Sequence, residues 1–194
     1  AWHTLYGSET DLGDVLEQAE SVMPGADGLL FLPFLAGERS PYWSDTLRGG
    51  YYGLSLTHGR SHMVRAVLEG VAYCLRHVID ICEELGVPIK ELALSGGGAA
   101  AQGWPQIIAD ICQRPVSIFV TQETVTRPLY AYCTHALDSA ISVEEALQNT
   151  FVEEPQVTAS RQELTAVYEP LYQSFRMLAD FAAQSKLPAY EIEH

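Results

Sequence analysis

Ser95-Gly96-Gly97-Gly98-Ala99 is the stretch whose residue types most directly suggest chemistry. Three consecutive glycines leave the backbone without Cβ atoms, so a ligand can approach it closely. The apolar run before them and the helical pattern after them describe a strand turning sharply into a helix. Amides at the start of that helix suit a phosphate or the rim of a nucleotide; the bland alternative is turn geometry alone. His58 and His62 stand four apart, the spacing that puts two imidazoles on one helical face, so a metal site must be weighed. No carboxylate or cysteine completes a set, and no metal is expected. Glu38 and Arg39 sit in a loop dense in charge and aromatics, and read either as a structural ion pair or as part of a cleft. Arg65 and Glu69 are four apart on the polar side of a long helix and read as a solvated or interdomain pair.

The elements that must position these residues follow from periodicity. Residues 10–23 read as a short amphipathic helix with Leu12, Val15, Leu16, Ala19 and Val22 on one face. The run from Leu29 to Leu35, broken by Pro33, predicts a buried strand. The clearest helix spans Arg60 to Leu85, closed by Gly86 and Pro88. Glu91 to Leu94 is the strand entering the glycine turn, and a helix from Trp104 to Gln113 leaves it. A strand at Val116–Val120 follows, then helices at Leu129–Leu137, Val143–Gln148 and Arg161–Gln184. Strands alternating with helices predict an α/β architecture with a largely parallel sheet.

The chain of 194 residues is long enough to bury a core, and 47% hydrophobic with 19% charged residues excludes disorder. Twenty-five acidic against 11 basic residues give a net charge of −14, which makes nucleic acid and anionic membranes poor partners. No apolar run approaches the ~18 residues needed to span a bilayer. Cys74, Cys82, Cys112 and Cys133 show no metal-ligand spacing and read as buried reduced thiols, which fits a cytoplasmic protein. The chain opens at Ala1-Trp2-His3 with neither an initiator methionine nor a signal-peptide pattern, and reads as a fragment or processed piece.

Read together, several stretches resemble the C-terminal domain of the FGGY carbohydrate kinases. These are Gly28 to Trp43 (with Gly-Glu-Arg-Ser-Pro-Tyr-Trp), Arg48-Gly-Gly-Tyr-Tyr-Gly-Leu54, His62 to Val71, Ser95-Gly-Gly-Gly-Ala99 and Trp104 to Asp110. Their order and spacing match over roughly residues 24–120, and the Gly-Glu-Arg-Ser-Pro-Tyr-Trp stretch looks most like xylulose and gluconate kinases within the family. The resemblance implies an α/β fold of the actin/hexokinase type (ribonuclease H-like), here lacking its first strands. Residues 1–185 would form this partial domain and 186–194 a tail. It also implies transfer of the γ-phosphoryl group of ATP, with Mg²⁺, to a sugar hydroxyl. The glycine turn would face the nucleotide. Gly97 and Gly98 would lie against the ribose and α-phosphate beside Gly96, with Gln102 reaching toward the base.

The family's catalytic aspartate precedes the point matching Ala1, so no catalytic residue is assigned in this chain. The N-terminal part of the same protein is an expected partner, beside sugar and ATP. A sheet edge left uncovered would favour a homo-oligomer. Tyr130 and Tyr132 stand where the family has small residues near the nucleotide, and Glu123 meets the family's acidic position only with a register shift. These departures open a second reading, a non-catalytic kinase module acting as an interaction or regulatory surface. Asp110 is expected to serve structural hydrogen bonding. Trp104, Tyr51 and Tyr52 are expected in the core or at a domain interface rather than as stacking platforms.

Overall fold

The computed structural model describes residues 12–99, 101–119, 126–148 and 155–185. Its elements are α1 (Leu12–Glu20), β1 (Leu30–Leu32), β2 (Gly50–Tyr52), α2 (Arg60–Glu84), β3 (Leu92–Ser95), α3 (Trp104–Cys112), β4 (Val116–Phe119), α4 (Thr126–Leu137), α5 (Val143–Gln148), β5 (Gln156–Thr158) and α6 (Thr165–Gln184). Short 3₁₀ turns at Ala26–Gly28 and Gln162–Leu164 precede β1 and α6. The latter is why the last helix begins later than the periodicity from Arg161 implies.

The α/β class stands, while the sheet departs from the parallel expectation. β3 and β4 pair in parallel, Leu92 opposite Val116 and Ser95 opposite Phe119, joined through α3. β5 then adds antiparallel to the other side of β4, with Ser117 opposite Val157. β1 and β2 form a separate antiparallel pair, Phe31 opposite Tyr51. Among the described strand pairs only β3–β4, joined by the α3 crossover, is parallel. β4, central, buries Val116, Ser117 and Ile118. β3 alternates half-buried Leu92 and Leu94 with exposed Ala93 and Ser95, and among the described strands it has a neighbour on one side only.

α2 is the axis of the molecule. Its 25 residues pack against α1, β1, α3 and α6. At Gly70 the helix meets β1 so closely that a Cβ would overlap the Phe31 carbonyl oxygen, so only glycine permits this approach. The core runs from Leu30 and Phe34 through Tyr73 and Ile79 to Ile107, Ile111, Val116 and the buried side of α6. α6 contributes Tyr168, Tyr172, Phe175 and Ala179, a spacing that lays one stripe along α2. Tyr73 stacks on Tyr172 with ring centroids 6.1 Å apart and meets Phe175 at 5.4 Å. Val15, Leu16 and Ala19 are buried on the expected face of α1, and Val22 is buried just past its end.

α4 packs chiefly against α5, with Ala131 and Ala146 buried. The cysteines are less uniform than expected. Cys112 is buried, Cys74 and Cys82 are half-buried, and Cys133 is exposed on α4, all as free thiols. Burial pushes the Cys74 and Cys112 thiols up to about 12, which makes both inert at neutral pH. No described helix is long and apolar enough to cross a membrane.

Candidate functional site

β3 delivers the chain to the glycine turn at its C-terminal end, and hydrogen bonds wind the turn into α3. Ala99 N donates to Gly96 O at 3.0 Å, Ala101 N to Gly98 O at 3.3 Å, and Trp104 N to Ala101 O at 3.3 Å. The three glycines answer different demands. Gly96 has φ +76°, a left-handed conformation that disfavours side chains. Gly97 has no such constraint, and a Cβ there would meet nothing within 4 Å. A Cβ on Gly98 would press Trp104 Nε1 at 3.4 Å, a tight but adjustable contact. Glycine raises the entropy lost on folding by about 0.5–1 kcal/mol relative to alanine. Nothing inside the described molecule explains that choice at Gly97. What the residue leaves is bare, exposed backbone, a cradle open to a ligand from outside. Gln102, exposed a few residues on, has no hydrogen-bond partner among the described residues.

The turn is braced from behind by Asp110, fully buried on α3. Its carboxylate accepts Arg161 N at 2.8 Å, Arg161 Nε at 3.0 Å, Arg161 Nη2 at 2.6 Å and Gln106 Nε2 at 2.9 Å. Gln106 also donates to Ala159 O at 3.0 Å. These bonds tie the helix that follows the glycines to the segment between β5 and α6. Asp110 is thus structural, as its place in the sequence implied. A cavity of about 240 Å³ lined by Glu20, Arg65, Gly103, Gln106, Ile107 and Arg161 lies at this end of α3.

Arg65 and Glu69 are not solvated. Their side chains are 5% and 1% exposed, and Arg65 Nε donates to Glu69 Oε1 at 2.7 Å. The same oxygen accepts Gly25 N at 2.9 Å and the Tyr168 hydroxyl at 3.1 Å, while Arg65 Nη2 donates to the Tyr168 oxygen at 2.9 Å. Glu69 Oε2 and the Tyr73 hydroxyl are buried without a hydrogen-bond partner among the described residues. Burial pushes the Glu69 carboxyl above its ordinary range against the pull of Arg65. The i,i+4 spacing on an amphipathic helix read as a polar face; α1 and α6 close over that face and make it interior.

Glu38 and Arg39 form no ion pair with each other. Glu38 exchanges backbone hydrogen bonds with Ser44 at 2.6 and 2.7 Å, and its carboxylate accepts Tyr42 N at 3.1 Å. Arg39 is exposed, with no ion pair among the described residues. The loop walls a cleft of about 380 Å³ with Ala36, Trp43, Ser44 and Asp45. None of Gly96, Gly97 and Gly98 lines this cleft. Tyr42 packs edge-on against His77 of α2 at 5.6 Å, whereas Gly103, five residues past Gly98, shares its cavity with Arg65. Twelve helical residues, about 18 Å of rise, separate those two anchor points.

The two imidazoles act as clasps. His58 Nδ1 accepts Ser55 N at 2.9 Å and His62 Nδ1 accepts Gly59 N at 3.2 Å. Their Nε2 atoms face Asp27, His58 the backbone oxygen at 3.3 Å and His62 the carboxylate at 3.1 Å. With both ring nitrogens of each histidine engaged, the pair fastens the start of α2 to the turn before β1. Among the described residues no three His, Cys, Asp or Glu side chains gather as a metal site. Tyr51 meets the Phe31 ring at a tilt, centroids 4.7 Å apart, and donates to Met63 O, Tyr52 is exposed, and half-buried Trp104 packs against the main core. Tyr130 and Tyr132 project from α4 at 59% and 63% exposure. Glu123 lies outside the described residues.

With this geometry in hand, the comparisons are specific. Residues 5–127 match the model of the FGGY family of carbohydrate kinases, C-terminal domain. The chain is 37% identical over 147 residues to a gluconokinase of Bacillus subtilis, covering 73% of this chain and 29% of that one. It is 30% identical over 165 residues to a xylulose kinase of Staphylococcus epidermidis, covering 85% and 33%. Among solved structures, gluconate kinase from Lactobacillus acidophilus superposes with a TM-score of 0.80 at 26% identity, over 95% of this chain and 37% of that one. The chain spans about a third of the length of the curated relatives it matches.

Proposed function

Because the chain belongs to the FGGY family of carbohydrate kinases, within its C-terminal domain, we propose that it is the nucleotide-facing part of an ATP-dependent sugar kinase. The substrate class is a gluconate- or xylulose-like sugar. The observation that carries the reading is Gly97: a glycine that no internal contact or backbone angle requires, in an exposed turn between β3 and α3. Bare backbone at that point fits the close approach of a ribose and α-phosphate across Gly96, Gly97 and Gly98, and exposed Gln102 would reach toward the base. Such chemistry asks the protein mainly for positioning and charge neutralisation. Asp110 and Arg161 hold the helix that carries the turn, and Mg²⁺ would neutralise phosphate charge when bound with ATP. The carboxylate base and most sugar contacts would come from a part of the kinase that this chain does not carry, and the whole would work in the cytoplasm.

Exposed Tyr130 and Tyr132 favour a second reading, a non-catalytic module that no longer admits a nucleotide. Calorimetric titration of Mg-ATP separates the two. Binding by the chain that is lost in Gly97→Arg supports the kinase reading. Failure to bind in both this chain and a longer protein that includes it would leave the non-catalytic module. The longer protein assayed against a panel of sugars identifies the substrate.

A further inference from the structure

Gly103 closes the turn that begins at Gly96 and is the N-cap of α3, at φ +70°. Glycine brings no side chain to cap a helix, and the first turn of α3 holds no acidic residue of its own. The positive end of this nine-residue helix is therefore left to a group from elsewhere in the chain. α1 supplies one. A Cβ built on Gly103 would lie 1.6 Å from Glu20 Oε1, so the carboxylate of the last residue of α1 rests directly on the Gly103 backbone. Arg65 and Arg161 line the same cavity, but they pair with Glu69 and Asp110, and Glu20 forms no ion pair with either.

We propose that Glu20 is a positioning residue: its charge caps α3 from a different helix and so fixes the outgoing end of the glycine turn. The incoming end is set by the β3–β4 ladder, where Ser95 lies opposite Phe119. The body of α3 is set by Asp110 and Arg161. Between those anchors the turn is held by Ala101 N to Gly98 O and Trp104 N to Ala101 O, both 3.3 Å, longer than a usual amide hydrogen bond. A stretch so weakly bonded takes its position from what presses on it, and Glu20 is the charged group in that place. The same contact accounts for the residue type at 103, since the positive φ and the seat of the carboxylate both exclude a side chain. The contact lies inside the fold, between α1 and α3. Its consequence for nucleotide affinity rests on the reading of the turn as nucleotide-facing.

Hydrogen exchange of the 194-residue chain without nucleotide tests the positioning directly. In Glu20→Gln, which keeps the shape and removes the charge, the amides of Ala101, Trp104 and Ile107 should exchange about two- to fivefold faster. Amides at the centre of α6 should be unchanged, and Glu20→Asp, which keeps the charge, should restore slow exchange. Mg-ATP affinity by calorimetry should fall by a similar factor in Glu20→Gln and recover in Glu20→Asp, a rescue that lost packing alone would not give. In unfolding, Gly103→Ala should cost less in a Glu20→Ala background than in the unaltered chain, because the obstructing carboxylate is gone. Unchanged exchange in Glu20→Gln overturns the proposal, as do additive costs in that pair of variants. So does a rise in Mg-ATP affinity, the mark of a carboxylate that only repels phosphate. Faster exchange with no Mg-ATP binding, by this chain or by a longer protein that includes it, upholds the positioning of the turn and counts against the nucleotide reading instead.

Discussion

The Arg65–Glu69 pair and the Gly96–Gly98 turn lie at the same end of the molecule and meet opposite demands. The pair is wholly internal: one oxygen of Glu69 gathers a guanidinium, a backbone amide and a tyrosine hydroxyl from three separate segments. The turn faces outward, and at Gly97 nothing inside the protein accounts for the residue type. Charge, the usual marker of a site, here serves cohesion. The feature with no side chain at all is the one shaped for a ligand. The contrast teaches that function is better sought where internal explanation fails than where polar residues cluster.

Loss of the Arg65–Glu69 pair should be the most costly change. Glu69→Ala should remove about 3–5 kcal/mol of stability, because it strands a buried guanidinium; urea unfolding followed by circular dichroism reads the loss. A change below about 1 kcal/mol would mean that the cluster is not the hub described. Gly70→Ala, one residue on, should cost about 1–3 kcal/mol as α2 is forced off the Phe31 carbonyl, again by unfolding midpoint.

A smaller effect is expected in pH. Burial, then Arg176, holds His77 below its ordinary 6.5, while Asp180, Asp80 and Glu84 pull it back. The unfolded chain therefore takes up the proton first as pH falls. Stability is fully present above 6.5 and declines as pH falls through the lowered value in the folded state. His77→Phe should flatten the difference in thermal midpoint between about pH 7.5 and about pH 5.5. The smallest change in stability is expected at the glycine turn. Gly97→Ala should move the unfolding free energy by no more than about 0.5–1 kcal/mol, in the stabilising direction. Mg-ATP affinity should nevertheless fall about tenfold, since the added methyl occupies the approach to the backbone.

Much of this was legible in the sequence. Steady three- and four-residue steps marked α2 to within a residue of its end. The apolar run into Gly96 marked β3, and the order of several motifs carried the family. What escaped depends on neighbours distant in sequence. Periodicity assigns Arg65 and Glu69 to a polar face, and only the arrival of α1 and α6 makes that face interior. β5 is three residues, Gln156-Val157-Thr158, too short and polar to announce itself, and so the antiparallel side of the sheet was not foreseen. Glu38 and Arg39 read in sequence either as a structural ion pair or as part of a cleft, and they form no ion pair with each other. The packing of Tyr42 against His77 of α2 is a contact between distant parts of the sequence that no local pattern encodes.

The pairing of α4 with α5, rather than with the main core, has a consequence for how the protein opens. Cooperative units of a fold come apart at different free energies, and a helical hairpin that buries mainly its own small residues belongs to the low end. Backbone amides of Thr126–Leu137 should exchange with deuterium long before those at the centre of α2, in a partial opening that leaves the Tyr73–Tyr172 stack closed. Because Tyr130 and Tyr132 ride on that hairpin, a ligand touching them would register as slowed exchange there while the rest of the molecule stayed silent.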